Sequence, residues 1–157
     1  MTAKLALMAT ATAAAAIALS TTARADDAAD LNFLSPTGNI NCSIMLLAPF
    51  EGNGQQYSGN NVVNCEIVDH TWSTPDECAT TPGHVAEVSM RADATEAPVV
   101  TCAKYPNQLP LPWPTLDYGQ SRTLGVITCS SEVSGITCTN NSTGEFFRLS
   151  NEFYDVG

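Results

Sequence analysis

Ser35–Ile44 reads SPTGNINCSI, and a shortened echo, SGITCTN, returns at Ser134–Asn140. In both, a Gly and an Ile lead into a run that carries a cysteine, Cys42 in the first and Cys138 in the second. Such a recurrence is either chemistry, a metal knuckle or a nucleophile on a turn, or scaffolding, a turn feeding a strand whose cysteine is stapled to a neighbour. Strand parity favours scaffolding. Directly opposed residues of an antiparallel pair share a face, so Cys129 and Cys138 oppose one another only across a loop with an even number of residues. Val133-Ser134 and Glu132–Gly135 both satisfy that parity, and Gly135 supplies the permissive dihedral. A three-residue loop would put the sulfurs on opposite faces. The first copy does the same at longer range, with Cys42 meeting Cys65 in VVNCEIV (62–68), which leaves Cys78 for Cys102. Six cysteines allow fifteen pairings, and the nearest-neighbour scheme is the working one. On chain entropy alone, the Cys129–Cys138 bridge closes the shortest loop and is the cheapest of the three to lose.

Working outward, the start of the chain sets the compartment. Lys4 is a small basic n-region, Leu5–Leu19 is an alanine-rich apolar run, and Ala23-Arg24-Ala25 has the A-x-A form of a cleavage site. The run falls short of the roughly 20 residues that span a bilayer. Residues 1–25 are therefore expected to be a signal peptide and 26–30 a flexible acidic lead-in. Residues 31–157 are expected to form one disulfide-stabilised domain that is not inserted in the membrane after cleavage. Cutting there removes two of six Lys and Arg residues and no carboxylate, taking the net charge from −10 to −12. Nucleic acid and anionic lipid need clustered cations, and none are present. Six cysteines in an exported chain predict three disulfides, and the absence of C-x-x-C or H-x-x-x-H spacing argues against zinc. No cofactor, no metal and a monomer are the expectations.

Helical periodicity is almost absent. Short β-branched or aromatic runs at 31–34, 40–47, 62–68, 85–91, 99–105, 122–130, 136–140 and 145–150 alternate with turn clusters. Residues 49–61 read as a mobile loop, and 76–80 and 150–154 as one helical turn each at most. Residues 106–114 (PNQLPLPWP) read as an extended proline-rich segment that cannot join a central strand. The fold class is all-β, a small disulfide-bridged antiparallel sandwich or barrel of about six to eight short strands with long loops.

The run F-x-SPTGNI-x-C (Phe33–Cys42), VNCEI followed by Trp72, and Asp117–Tyr154 together resemble a family of small secreted domains from actinobacteria, of mycobacterial type, whose function is uncharacterised. The resemblance covers most of the exported part. The family tends to carry Gly-His-Gly-Phe where this chain has Gly144-Glu145-Phe146-Phe147, and Ser-Arg at Ser150-Asn151, so any role of that His and Arg does not transfer. The resemblance implies export and brings no mechanism.

Chemistry-bearing residues are sparse. His70, beside Asp69 and Trp72 and close to Asp76 and Glu77, is the one His–carboxylate neighbourhood. It suggests a small extracellular hydrolase with a serine brought in from elsewhere; a polar loop beside a buried Trp is the plainer explanation. His84 follows a Pro-Gly corner and reads as a turn residue. No G-x-S-x-G and no EF-hand loop occur. Trp113, Tyr118 and Trp72 are candidate binding aromatics for an unknown protein or glycan, although Trp113 and Tyr118 equally suit plugging one end of a sandwich. A rigid 106–114 loop would suit an inhibitor. The expectation is a secreted or envelope-associated, non-enzymatic binding domain, with the His70/Asp69 hydrolase and the inhibitor as alternatives.

Overall fold

The computed structural model describes residues 29–74, 78, 82–103 and 111–157. The expected signal peptide, most of the expected acidic lead-in, residues 106–110 of the proline-rich segment, and the expected 76–80 turn apart from Cys78 lie outside the described residues. Among the described residues, twelve strands follow one another: β1 (Ala29–Leu34), β2 (Ile40–Leu47), β3 (Phe50–Gly52), β4 (Gln55–Tyr57), β5 (Asn60–Ile67), β6 (Val85–Arg91), β7 (Val99–Ala103), β8 (Ser121–Leu124), β9 (Ile127–Glu132), β10 (Gly135–Asn140), β11 (Phe146–Leu149) and β12 (Tyr154–Val156).

They build two open five-stranded antiparallel sheets, ordered β1-β2-β5-β6-β7 and β12-β11-β10-β9-β8, with β3–β4 as a separate hairpin. The sheets share one buried apolar cluster, so the architecture is a sandwich and not a closed barrel. Alternation explains which residues meet. On β2, Cys42 and Ile44 point inward, and on β5 Val63, Cys65 and Ile67 do; the second sheet answers with Ile127, Cys129, Ile136, Cys138, Phe147 and Leu149. Phe33 and Phe147 are fully buried, each stabilising by about 1.5–3 kcal/mol relative to exposure.

The recurrence in the sequence sits at the centre of this core. Cys42 pairs directly with Cys65 across β2–β5, and Cys129 with Cys138 across β9–β10, with Cα separations of 4.1 and 4.0 Å. Each copy thus places a cross-strand disulfide on the inner face of its own sheet. The two bridges touch, with Cys65 Sγ 3.9 Å from Cys138 Sγ. The β9–β10 loop is Val133-Ser134, the two-residue solution to the parity condition. The third bridge, Cys78–Cys102, ties the described end of the 70s segment to β7.

The structure differs from the sequence expectation in three places. Residues 122–130 are not one strand: Gly125-Val126 turns the chain, with Gly125 at φ +60°, and β8 pairs back on β9. Residues 49–61 are not a loop throughout, because Asn53 (φ +52°) and Gly54 (φ +73°) form a two-residue turn that closes β3 on β4. Residues 150–153 are a turn into β12 and not a helical one, with Ser150 N–H donating to Phe153 O at 3.0 Å.

Candidate functional site

The three candidate aromatics do not come together. Each lines a different depression.

Trp72 and His70 share a groove with His84 and the peripheral Cys78. The His70 Nδ1–H donates to the Trp72 carbonyl at 2.9 Å, and its ring stacks on the indole with centroids 4.1 Å apart. Because a carbonyl can only accept, that contact fixes the proton on Nδ1 of the neutral ring. Among the described residues, no Ser or Thr hydroxyl hydrogen-bonds the ring. Trp72 is itself committed: its Nε1–H donates to Ser150 O at 2.9 Å, Tyr154 packs against it, and Thr71 N–H donates to Asn151 O. Together these contacts pin the segment after β5 to the turn between β11 and β12. His84 lies with Nδ1 3.9 Å from Cys102 Sγ.

Trp113 lies over the outer face of the first sheet, beside Asn41, Asn64, Glu66 and Glu87. Glu66 and Glu87 are directly paired across β5–β6. Burial raises the Glu87 carboxyl above its ordinary range, the Glu66 charge adds to that, and hydrogen bonds from Ser89 and Thr101 work against it. Asn41 Nδ2 donates to Glu66 at 3.2 Å. Trp113 belongs to the end of the proline-rich stretch, which is held along β1: Leu34 N–H donates to Pro114 O at 3.0 Å, and Leu116 N–H to Leu34 O at 2.8 Å.

Tyr118, 47% exposed, lines a cavity of about 350 Å³ at one end of the sandwich. Both copies of the recurrent motif contribute to it. The β1–β2 turn gives Ser35, Thr37 and Asn39, and the β9–β10 hairpin gives Ser131, Glu132 and Gly135; Asp69, after β5, and Asn151, after β11, complete the rim. Local hydrogen bonds fix the first wall. Ser35 Oγ accepts from Ile40 N–H at 3.0 Å, and Asn39 grips the Asp69 backbone at both ends, donating to its carbonyl at 2.8 Å and accepting from its N–H at 2.7 Å. The turn carrying Tyr118 is anchored to Ser131 by two backbone bonds, Gly119 N–H to Ser131 O and Ser131 N–H to Gln120 O, at 2.7 and 2.9 Å.

Ser131 itself is fully buried, and among the described residues its hydroxyl has no hydrogen-bond partner. It follows Ile127 and Cys129 on the inward side of β9, so the core ends at its side chain and the cavity begins there. A polar residue at an inward-facing position after two apolar ones was the available sequence signal, and neither it nor Glu132 stands out by residue type alone. Asp69 lines this cavity, and the His70 ring is turned onto Trp72.

Among the described residues, the close grouping of metal-ligating atoms is Cys42, Cys65 and Cys138, whose sulfurs are all committed to bridges. Three disulfides fit an oxidising compartment outside the cytoplasm, and no helix among the described residues is long and apolar enough to cross a membrane. No family model, curated protein or solved structure matches the chain.

Proposed function

We propose that the chain is a secreted or envelope-associated binding domain without enzymatic activity. The observation that carries this is the cavity beside Tyr118, walled by turns from both sheets on a disulfide-locked frame. A rigid scaffold that holds loop side chains around a concavity of this size is the usual form of a small recognition site. The hydrolase alternative is less well supported, because among the described residues no Ser or Thr hydroxyl hydrogen-bonds the His70 ring, which stacks on Trp72. The inhibitor alternative needs a free proline-rich loop, whereas its described end lies along β1.

The test is retention of an envelope component on the immobilised, oxidised protein isolated after export. Saturable and reversible retention that is unchanged in His70→Ala supports the proposal. Hydrolytic turnover of an envelope substrate that His70→Ala abolishes would overturn it.

A further inference from the structure

The three disulfides differ in what can reach them. Exchange begins when a thiolate attacks one sulfur of a bridge, so a bridge without exposed surface is closed to it until the fold opens. Cys42, Cys65, Cys129 and Cys138 are all fully buried, and the two bridges they form touch between the sheets. Cys78 and Cys102 are only partly buried and stand outside the core cluster. The two sulfurs of this outer bridge also have different surroundings. Cys78 lines the open groove that holds Trp72, His70 and His84, whose volume of about 570 Å³ admits a small molecule. Cys102 is not among the described residues that line it. It lies on the edge strand β7, directly opposite the buried Ala86, with His84 Nδ1 3.9 Å from its Sγ. An attacker entering by the groove therefore meets Cys78, and the sulfur it displaces is the one beside an imidazole. A thiol leaves faster as its pKa falls, and a neighbouring imidazolium lowers that pKa by stabilising the thiolate.

We propose that the Cys78–Cys102 bridge is a thiol-exchange site, at which a low-molecular-weight thiol adds to Cys78. The thiolate forms a new S–S bond to Cys78 Sγ as the bond to Cys102 breaks, and the electron pair of that bond leaves on Cys102 Sγ. His84 Nδ1–H stabilises the departing thiolate, and the proton that the incoming thiol lost on ionising returns there. The incoming sulfur is oxidised to the disulfide level and Cys102 is reduced to a thiol, so the step balances without another redox partner. Attack by Cys102 on the mixed disulfide expels the small thiol and restores the bridge. Attack by a second small thiol releases the small-molecule disulfide and leaves Cys78 reduced. The site is thus reversibly modified. Opening it unties Cys78 from β7 and leaves both central bridges closed. It shares no lining residue with the Tyr118 cavity and stands independently of the binding-domain reading.

The experiment treats the oxidised protein, isolated after export, with 2-mercaptoethanol under native conditions. Free thiols are trapped with N-ethylmaleimide at timed intervals, and peptide mass mapping locates both labels. The expected early product carries mercaptoethanol on Cys78 and maleimide on Cys102, favoured about tenfold over the reverse arrangement. Cys42, Cys65, Cys129 and Cys138 should stay unlabelled throughout. His84→Gln should slow formation of the adduct about fivefold by removing the group beside the leaving sulfur, with no change in the urea midpoint of the oxidised protein. His70→Gln, at the other ring in the groove, should leave the rate unchanged. The wild-type map identifies the attacked sulfur without any variant, so the proposal stays open to refutation even where a substitution disturbs the fold. An adduct chiefly on Cys102 overturns it, as does a central bridge opening at a comparable rate. So do a rate indifferent to His84→Gln, equal slowing by the two histidine variants, and the absence of any adduct while the protein remains folded.

Discussion

Removing the disulfides pair by pair sets two physical effects against each other. The bridges close sequence separations of 23, 24 and 9 residues for Cys42–Cys65, Cys78–Cys102 and Cys129–Cys138. The chain-entropy relation gives about 3.4 kcal/mol for the two longer loops and about 2.6 kcal/mol for the short one. Loop length alone therefore makes Cys129–Cys138 the cheapest to lose, by less than about 1 kcal/mol. Burial reverses the order. Cys129 and Cys138 have no exposed surface and pack on the other central bridge, whereas Cys78 and Cys102 are half-buried. Replacing the central pair with Ser leaves two hydroxyls in an apolar core, each costing about 1–3 kcal/mol. Serines at 78 and 102 reach solvent or the nearby Val85 and Thr101 carbonyls. We expect C78S/C102S to lose about 3–4 kcal/mol and C129S/C138S about 5–8 kcal/mol. C42S/C65S, central and with a long loop, should lose the most. In urea, a slope of about 2 kcal/mol per molar turns the gap between the first two into roughly 1.5 M of midpoint. A C129S/C138S midpoint above that of C78S/C102S, at equal slopes, would refute the view that burial at the centre outweighs loop length.

Asn61 bonds three backbone groups from one side chain: its oxygen accepts from Val126 and Ile127 N–H at 2.8 and 3.2 Å, and its amide donates to Met45 O at 3.0 Å. Asn61→Ala should cost about 3 kcal/mol in denaturant unfolding, and a loss under about 0.5 kcal/mol would show that these bonds are replaceable. Glu87 has a raised folded-state pKa, so the folded chain binds the proton more tightly and stability falls as pH rises from 4.5 through the folded value. Glu87→Gln should therefore raise the unfolding midpoint at pH 7, with the gain closing as pH drops towards 4.5; a gain that persists in acid would mean that charge burial is not its source. Gly38 has positive φ with open space around it, whereas a Cβ at Gly135 would run into the Leu149 carbonyl. Gly38→Ala should cost about 1–2 kcal/mol from strain alone, and Gly135→Ala more, with amide shifts along β10–β11; equal costs and silent β11 amides would remove the steric argument.

The parts of this fold that could be read in advance are those decided by neighbours in the chain. The Cys129–Cys138 pairing depends on a loop parity that ten residues display, and the sandwich class follows from strand-length runs spaced by turn residues. The β3–β4 hairpin was visible in principle as Asn53-Gly54, a strong short-range signal, but its flanks, FEG and QQY, lack the apolar alternation that marks a strand. The split between β8 and β9 was harder to see. Leu124-Gly125-Val126-Ile127 reads as an uninterrupted strand, and the turn is held by Asn61, a residue 65 positions earlier on the other sheet. Such a turn is a tertiary decision, in which an incoming amide oxygen satisfies the two N–H groups that the bend frees. The Tyr118 cavity is tertiary in the same sense. Its walls come from five separated segments, and the residue that marks its floor, Ser131, is an ordinary serine until the strand's inward face is known. The recurrent motif itself joins the two levels. Locally, each copy is a turn and a cysteine-bearing strand. Only packing the sheets face to face brings the two bridges into contact at the centre and the two turns to one rim, so the repetition that staples the core also builds the wall of the cavity.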